Sequence, residues 1–343
     1  MNREELTKAS ERNIISSRLR CPLEISTGDI FFSLVDYRNS LFTSNDPAKI
    51  IEFYNGFENR DQLIQWMKER PKGASYIREV DGDKDIVVVI TTADFNGKYA
   101  KECRENIFKG LHIVFVESGG RGDFYFNIAH NINIGMKMAL EYNPKWIVFS
   151  SDDMYKIDSV NVLSKELLKI NPVTVDLVYT NPSKYHSVRG FIGSPNLIHS
   201  TVTKAIDNNR KTVYKMIKRF CGSTQFWPLN KDNFVNKLMY RKLTDMIWIT
   251  DFSIFSGSYV AKVHGSIYDE TYINSEEDAD LSVRLLTSKR YTFIEYQIGD
   301  YVGSTLGMGV DRFLRSVAGI SYLSYKIKFN LLPYIPHFSI AHF

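Results

Sequence analysis

Three short apolar runs, separated by segments with helical spacing, constrain the fold of this chain more than any other feature. The runs are DIVVVITT, LHIVFVESGG and KWIVFSSDD, which lie between residues 85 and 153. Their β-branched residues are typical of strands buried on both faces of a sheet. Between them, GKYAKECRENIFKG and NIGMKMALEYN have the spacing of helices. This alternation implies right-handed crossovers and therefore a Rossmann-like α/β fold, with a mostly parallel sheet and helices on both faces.

Further elements are predicted beyond residue 153, with less regular spacing. SVNVLSKELLKI predicts a helix and TVDLVYTN a fourth strand. DMIWITDFSIFSGSYVAKV and KRYTFIEYQI are rich in strand-forming residues, and they flank a helix that begins in EEDADLSVRLL. We therefore expect the sheet to continue into the C-terminal half of the chain.

The composition favours an intracellular protein with a large core. The 343 residues are 44% hydrophobic, and 43 Lys and Arg against 39 Asp and Glu leave a net charge of only +4. So small an excess does not indicate a nucleic-acid partner. The 3 cysteines include no C-x-x-C pair, which favours a reducing compartment. With a polar N-terminus and no run of about 18 apolar residues, we expect a cytoplasmic protein, at most peripheral to a membrane.

Acidic residues follow the predicted strands at one rim of the sheet. Ligands of such sheets bind outside the carboxyl ends of the strands, which places Thr91-Thr92, Glu117 and Asp152-Asp153 together. A helix cap explains the acidic pair taken alone, and the same holds for the second cluster, residues 276–280. Together they favour transfer from a nucleotide diphosphate, in which carboxylates hold a divalent ion and another carboxylate takes a proton.

The ordered motifs of residues 85 to 310 resemble the inverting family-2 glycosyltransferases of GT-A fold. The resemblance covers the opening strand and its Thr-containing turn, a second strand ending in an acid, an Asn-x-Gly helix start, a strand leading into adjacent acids, and a Glu-Asp-x-Asp-Leu-x-x-Arg motif. In this sequence they are DIVVVITTADFN, IVFVESGG, NINIGMKMAL, WIVFSSDDM and SEEDADLSVRL.

The resemblance implies a role for each matching residue. Asp278 would be the general base, and Asp280 and Arg284 would form an i, i+4 pair that orients the acidic loop, with Glu277 in support. Asp152 and Asp153 would serve ribose, diphosphate and metal. Contacts to the nucleotide are further implied for Thr91, Thr92, Glu117, Asn133 and Gly135.

The metal ligands are where the sequence departs from the family. Ser151 stands at the first Asp of a strict Asp-x-Asp motif, and Asp300 stands near the place where a His often follows the last strand. The expected metal ligands are therefore Asp152, Asp153 and Asp300, with Mn²⁺ or Mg²⁺ as the ion. The donor would be a nucleotide-diphosphate sugar, and the acceptor a glycan, free or carried by lipid or protein. The oligomeric state stays open.

We divide the chain into four parts on these grounds. Residues 1–80 form an N-terminal helical extension without assigned chemistry. Residues 81–180 form the nucleotide-sugar-binding half of a GT-A domain, and residues 181–310 the acceptor-binding half with the base. Residues 311–343 form a C-terminal tail, which we expect to be a helical extension.

Two other functions and one surface contact stay open. ESGGRGDF resembles the glycine-rich loop of sugar nucleotidyltransferases, although it follows the second strand rather than the first. A non-catalytic sugar- or nucleotide-binding module of the same fold is the other alternative. The basic segment of residues 204–220 predicts a solvated helix face or contact with an anionic membrane surface.

Overall fold

The computed structural model describes residues 36–120, 123–180, 216, 219–220, 251–288, 290–301 and 310–328. Nearly all of the basic segment and the whole of residues 221–250 lie outside the described residues. The helices are α1 (Pro47–Asn55), α2 (Arg60–Glu69), α3 (Lys98–Glu102) with a π-helical turn at Cys103–Ile107, α4 (Ile128–Leu140), α5 (Val160–Leu167), α6 (Gly257–Lys262), α7 (Glu277–Ser288) and α8 (Val310–Lys328). The strands are β1 (Ser75–Val80), β2 (Asp83–Thr92), β3 (Leu111–Ser118), β4 (Trp146–Ser151), β5 (Met154–Lys156), β6 (Leu177–Tyr179), β7 (Phe252–Ser256), β8 (Tyr291–Phe293) and β9 (Ile298–Asp300).

A mixed sheet of 7 strands in the order β1-β3-β2-β4-β7-β6-β8 forms the centre of the described chain. Strands β3, β2 and β4 are parallel neighbours, whereas β1 and β7 run against their neighbours. The predicted α/β class is confirmed, but the sheet is mixed rather than mostly parallel, because three of its six strand pairings are antiparallel. The antiparallel edge strand β1 was not predicted, because residues 75–80 alternate exposed and half-buried positions and lack an apolar run.

Both faces of the sheet are covered, as the apolar runs predict. Val88 and Ile90 of β2 pack with α3 and α5, while Val87 and Val89 pack with α4, α6 and α7. Successive side chains of a strand point to opposite faces, so a run without polar gaps can only be buried on both. Burial of each such side chain contributes about 1.5–3 kcal/mol.

The N-terminal and C-terminal extensions form one helical unit rather than two separate additions. Residues 36–42 are helical and share a hydrophobic core with α1, α2 and α8. Tyr54 of α1 donates a hydrogen bond from its hydroxyl to the Leu314 carbonyl at 2.8 Å. The same core includes Tyr272, Ile273 and Ala279, so it packs directly against the turn that leads into α7. No helix in the described ranges, α8 included, has the length and apolar character needed to cross a membrane.

Candidate functional site

Two backbone hydrogen bonds bring three acidic segments to one rim of the sheet. The Ser151 N–H donates to the Asp251 carbonyl at 2.9 Å, which joins the end of β4 to the start of β7. The Tyr301 N–H donates to the Asp153 carbonyl, also at 2.9 Å, and β5 pairs with β9 so that Met154 lies opposite Asp300. Asp300 and Asp251 therefore both lie beside the predicted acidic pair.

Asp251 is surrounded by carboxylates from both acidic clusters. Asp251 is exposed to solvent, yet desolvation by the surrounding protein raises its pKa, and the negative charges of Asp278, Asp153 and Asp300 raise it further, to about 6. Arg312 of α8 opposes this effect. Charges of both acidic clusters therefore act on Asp251, although 125 positions separate residues 153 and 278 in the sequence.

Asp152 is fixed by the strand and helix next to it. Thr92 Oγ1 donates to Asp152 Oδ2 at 2.6 Å, and the Cys103 thiol donates to the Asp152 carbonyl at 3.4 Å. Desolvation raises the pKa of Asp152 and the Thr92 hydrogen bond opposes the rise, while Asp153 adds to it. Thr92 therefore orients a carboxylate, whereas Thr91 is buried beside it at the end of β2.

Glu117 holds the loop that follows β2. Its Oε1 accepts a hydrogen bond from the Phe95 N–H at 3.0 Å, and Arg78 Nε lies 3.7 Å from Oε2. The side chain keeps about a fifth of its surface exposed. Glu117 thus lies at the predicted rim, but on the β3 side of the acidic pair.

The family resemblance implied that Asn133 and Gly135 contact the nucleotide. In the structure both residues lie between α4 and its neighbours and contact other parts of the protein. Asn133 is completely buried; its amide donates to the Tyr268 carbonyl and to Glu270 Oε1, both at 2.9 Å, and accepts from the Tyr268 N–H at 3.0 Å. A methyl group at Gly135 would overlap the side chains of Val89 and Val116. These residues therefore pack α4 against the sheet and hold the turn at residues 268–270.

The turn at residues 268–270 is held to α4 by an ionised carboxylate. Glu270 lies 2.8 Å from His130 Nδ1, and Lys72 donates to its carbonyl at 2.6 Å. Desolvation favours the neutral acid, but hydrogen bonds from His130 and Asn133 outweigh it and lower the pKa of Glu270 to about 2. The carboxylate therefore stays charged, and it anchors the segment before α7.

Strained backbone and displaced pKa values mark the start of α7. Asn274 and Glu276 both have positive φ, 55° and 70°, a conformation that costs a residue other than glycine about 1–3 kcal/mol. Desolvation, reinforced by the charge of Asp278, raises the pKa of Glu276 to about 8 and raises that of Glu277 as well. Desolvation raises the pKa of Asp278 itself, while the Ala279 N–H, at 2.7 Å from Oδ1, opposes the rise.

The predicted Asp280–Arg284 pair is present and belongs to a larger buried network. Arg284 Nε donates to Asp280 Oδ2 at 2.9 Å. Lys326 of α8 pairs with Asp280 Oδ1 and donates to Asp269 Oδ2 at 3.0 Å, where the Tyr322 hydroxyl also donates at 3.0 Å. Two acids face two bases, so the charges of the network are balanced. The C-terminal helix α8 therefore holds both the loop at Asp269 and the first turn of α7 at Asp280.

Sequence reasoning missed Asp251, Arg312 and Lys326. Asp251 directly precedes the apolar run of β7, a position that signals a rim residue only once β7 is known to be antiparallel. Arg312 and Lys326 lie on α8, and no pattern in the residues of that helix indicates that it packs against the site. Within the described ranges no three His, Cys, Asp or Glu side chains are arranged as a metal site, so the predicted ion stays a prediction.

Comparison with protein-family models and with curated proteins found no match to this chain.

Proposed function

We propose that this chain is a metal-dependent inverting glycosyltransferase with a GT-A type of α/β fold. It would transfer a sugar from a nucleotide-diphosphate sugar to an acceptor hydroxyl in the cytoplasm. The observation that carries the proposal is the position of Asp251: a backbone hydrogen bond joins it to Ser151, and its pKa is raised by desolvation and then by the charges of Asp278 in the second cluster and Asp153 in the first. One cluster can serve the leaving group while the other serves the acceptor.

The acids at the rim have the chemistry that a divalent cation prefers, although within the described ranges they are not arranged as a metal site. Asp152, Asp153 and Asp300 supply hard carboxylate oxygens, the ligands that Mg²⁺ and Mn²⁺ prefer. Desolvation is the largest cause of the raised pKa values of Asp152 and Asp251; neighbouring carboxylates raise both further, and at Asp251 the charge of Arg312 offsets the rise only in part. A bound ion would supply positive charge that balances these carboxylates, and it would neutralise the departing diphosphate. We propose Asp152, Asp153 and Asp300 as its ligands.

Asp278 is the proposed general base. Its carboxylate takes the proton of the acceptor hydroxyl as that oxygen forms a bond to the anomeric carbon. The bond from that carbon to the diphosphate oxygen breaks in the same step, and the electron pair leaves with the diphosphate. A single displacement of this kind inverts the anomeric configuration. The raised pKa of Asp278 improves it as a proton acceptor, because a base works best when its pKa lies near the working pH.

Arg312 and Thr92 have supporting parts in this proposal. Arg312 is the described cation that lowers the pKa of both Asp251 and Asp278, so it lies close enough to the acids to meet an anionic donor as well. Thr92 fixes the carboxylate of Asp152 through the 2.6 Å hydrogen bond. Holding a ligand side chain in one orientation lowers the entropy cost of binding.

A thermal-stability screen tests the donor part of the proposal. Nucleotide-diphosphate sugars are added with and without Mn²⁺, and a ligand at about 100 times its Kd stabilises the native state by about 2.7 kcal/mol. We expect at least one donor to raise Tm only when the metal is present, and Asp153→Ala to remove the effect. Asp85→Ala, at the opposite end of the sheet beside Lys145, is the matched control and should keep it. Stabilisation that depends neither on the metal nor on Asp153 would contradict the proposal. Metal-dependent binding without donor turnover would favour the non-catalytic module.

A further inference from the structure

Three tyrosines gather on the outer side of the acidic rim. They are Tyr99 of α3, Tyr155 of β5 and Tyr301, which directly follows β9. The ring centroids of Tyr155 and Tyr301 are 5.0 Å apart, and those of Tyr99 and Tyr301 are 6.1 Å apart. Three elements that are distant in sequence therefore present aromatic rings at one place.

Core packing does not account for these rings. In β5 and β9, Met154 and Ile298 point inward and belong to the hydrophobic core, whereas Tyr155 lies on the opposite face of its strand. Tyr301 keeps 50% of its surface exposed. Gly299 lies under the Tyr155 ring, which occupies the space where any larger residue would place its Cβ. The aromatic surface thus faces solvent on a backbone shaped to hold it.

The tyrosines are tied to the proposed site by the backbone. The Tyr301 N–H donates to the Asp153 carbonyl at 2.9 Å, and Asp300 is the preceding residue. The aromatic face therefore lies beside the backbone of the acidic rim, while the Asp300 side chain shares the opposite face of the β5–β9 pair with Met154. A pyranose ring has the matching character, because its C–H face packs on an aromatic ring while its hydroxyl groups remain free to hydrogen-bond with water or with the neighbouring rim.

We propose that Tyr99, Tyr155 and Tyr301 form a binding platform for a pyranose ring, with Tyr301 as the main contact. The proposal rests on the glycosyltransferase function proposed above, and it assigns a sugar subsite to the outer side of the rim. A nucleobase would also stack on tyrosine, and the nucleoside diphosphate in the second arm of the test distinguishes a base from a sugar.

Binding of simple sugars to the full-length chain tests the platform. Methyl pyranosides of glucose, galactose, mannose and N-acetylglucosamine are titrated, with saturation-transfer NMR as the readout. We expect saturation of ring C–H protons for at least one of them, and about tenfold weaker binding to Tyr301→Ala, since a stacking contact contributes about one power of ten in affinity. Tyr301→Phe keeps the ring and should bind as the native chain does. Tyr37→Ala removes a tyrosine of similar exposure, 53%, from the helical unit and should have no effect.

A second arm identifies the source of the sugar. If the platform binds the donor's sugar, Tyr301→Ala weakens binding of the nucleotide sugar but not of the nucleoside diphosphate. If it binds the acceptor, only the free pyranosides are affected. The platform would be overturned if Tyr301→Ala bound the pyranosides and the nucleotide sugar as tightly as the native chain does. It would also be overturned if the variant lost as much affinity for the nucleoside diphosphate as for the nucleotide sugar. Donor hydrolysis without any dependence on Tyr301 would overturn the platform alone, whereas pyranoside binding without donor hydrolysis would overturn the proposed function alone.

Discussion

The N–H of Ser151 donates to the carbonyl of Asp251 at 2.9 Å, at the point where β4 ends and β7 begins. Because β7 runs antiparallel to β4, its first residues lie on the rim that parallel strands reach with their last. Asp251 is therefore placed beside Asp152 and Asp153. This pairing adds Asp251 to the first acidic cluster, and the charge of Asp278 in the second cluster contributes to the raised pKa of the same residue.

Asp251→Asn should stabilise the chain while it impairs the site. The pKa of Asp251 is raised to about 6, so the native state holds this proton to higher pH than the unfolded chain does, and native stability falls as the pH rises towards 6. Removing the charge should raise the free energy of unfolding by about 1 kcal/mol at pH 7, once solvent screening is allowed for, and should leave it unchanged below about pH 4. Urea denaturation at pH 7 and at about pH 4 measures these two differences. The control Asp85→Asn breaks a pair with Lys145 and should gain nothing; a loss of stability for Asp251→Asn at pH 7 would show that its charge is compensated.

Asp278→Asn should remove turnover while nucleotide binding survives. The substitution keeps the shape of the side chain but removes the proton acceptor, and loss of a general base lowers kcat by about 10²–10⁴. Calorimetric titration with the nucleoside diphosphate checks binding, and product formation checks turnover. Asp61→Asn changes an exposed acid in the first turn of α2 and serves as the matched control. Unchanged turnover in Asp278→Asn would exclude this residue as the base.

Lys326→Met should destabilise the chain strongly. It leaves Asp269 and Asp280 without their shared cation, and breaking a buried ion pair on one side costs about 3–5 kcal/mol. Lys169→Met breaks a surface pair with Glu166 and should cost at most about 1 kcal/mol. Denaturant unfolding compares the two variants. Equal costs would mean that α8 does not hold the turn before α7 through this lysine.

Glu276 should make stability fall between neutral and alkaline pH. Its pKa is raised to about 8, so the stabilisation that goes with its proton is complete below the ordinary glutamate pKa and is lost as the pH rises through 8. We expect the urea midpoint to fall less between pH 6 and pH 9 in Glu276→Gln than in the native chain. Glu105→Gln, on an exposed surface, should follow the native chain. Parallel pH curves for Glu276→Gln and the native chain would show that Glu276 titrates normally.

The sequence predicts the centre of the fold well, because β2, β3 and β4 are buried on both faces and carry unbroken apolar runs. It also predicts β6, β7, α7 and the Asp280–Arg284 pair, whose spacing on one helix is local. The sequence predicts helical extensions at both ends but not that they pack together, because amphipathic helices such as α1 and α8 do not show in their own residues which surface they cover.

The acidic site was predicted only in part, for a topological reason. The rim rule for parallel sheets finds Asp152 and Glu117 at the ends of strands, but it passes over Asp251, which begins an antiparallel strand. Asn133 and Gly135 match a motif, yet their surroundings show that the motif is used for packing here. Residue type and spacing alone do not show whether a glycine of this motif contacts a phosphate or, as Gly135 does, packs on Val89.

The release of nucleoside diphosphate from nucleotide sugars tests the central claim most directly. The native chain is incubated with each donor and Mn²⁺, with and without an acceptor mixture, and the released nucleotide is quantified beside Asp278→Asn and Asp153→Ala. We predict slow, metal-dependent release from at least one donor, faster with acceptor, lost in Asp153→Ala and reduced by about 10²–10⁴ in Asp278→Asn. Release at the native rate in both variants, or no release from any donor that binds, would contradict a glycosyl-transfer site built around these two acids.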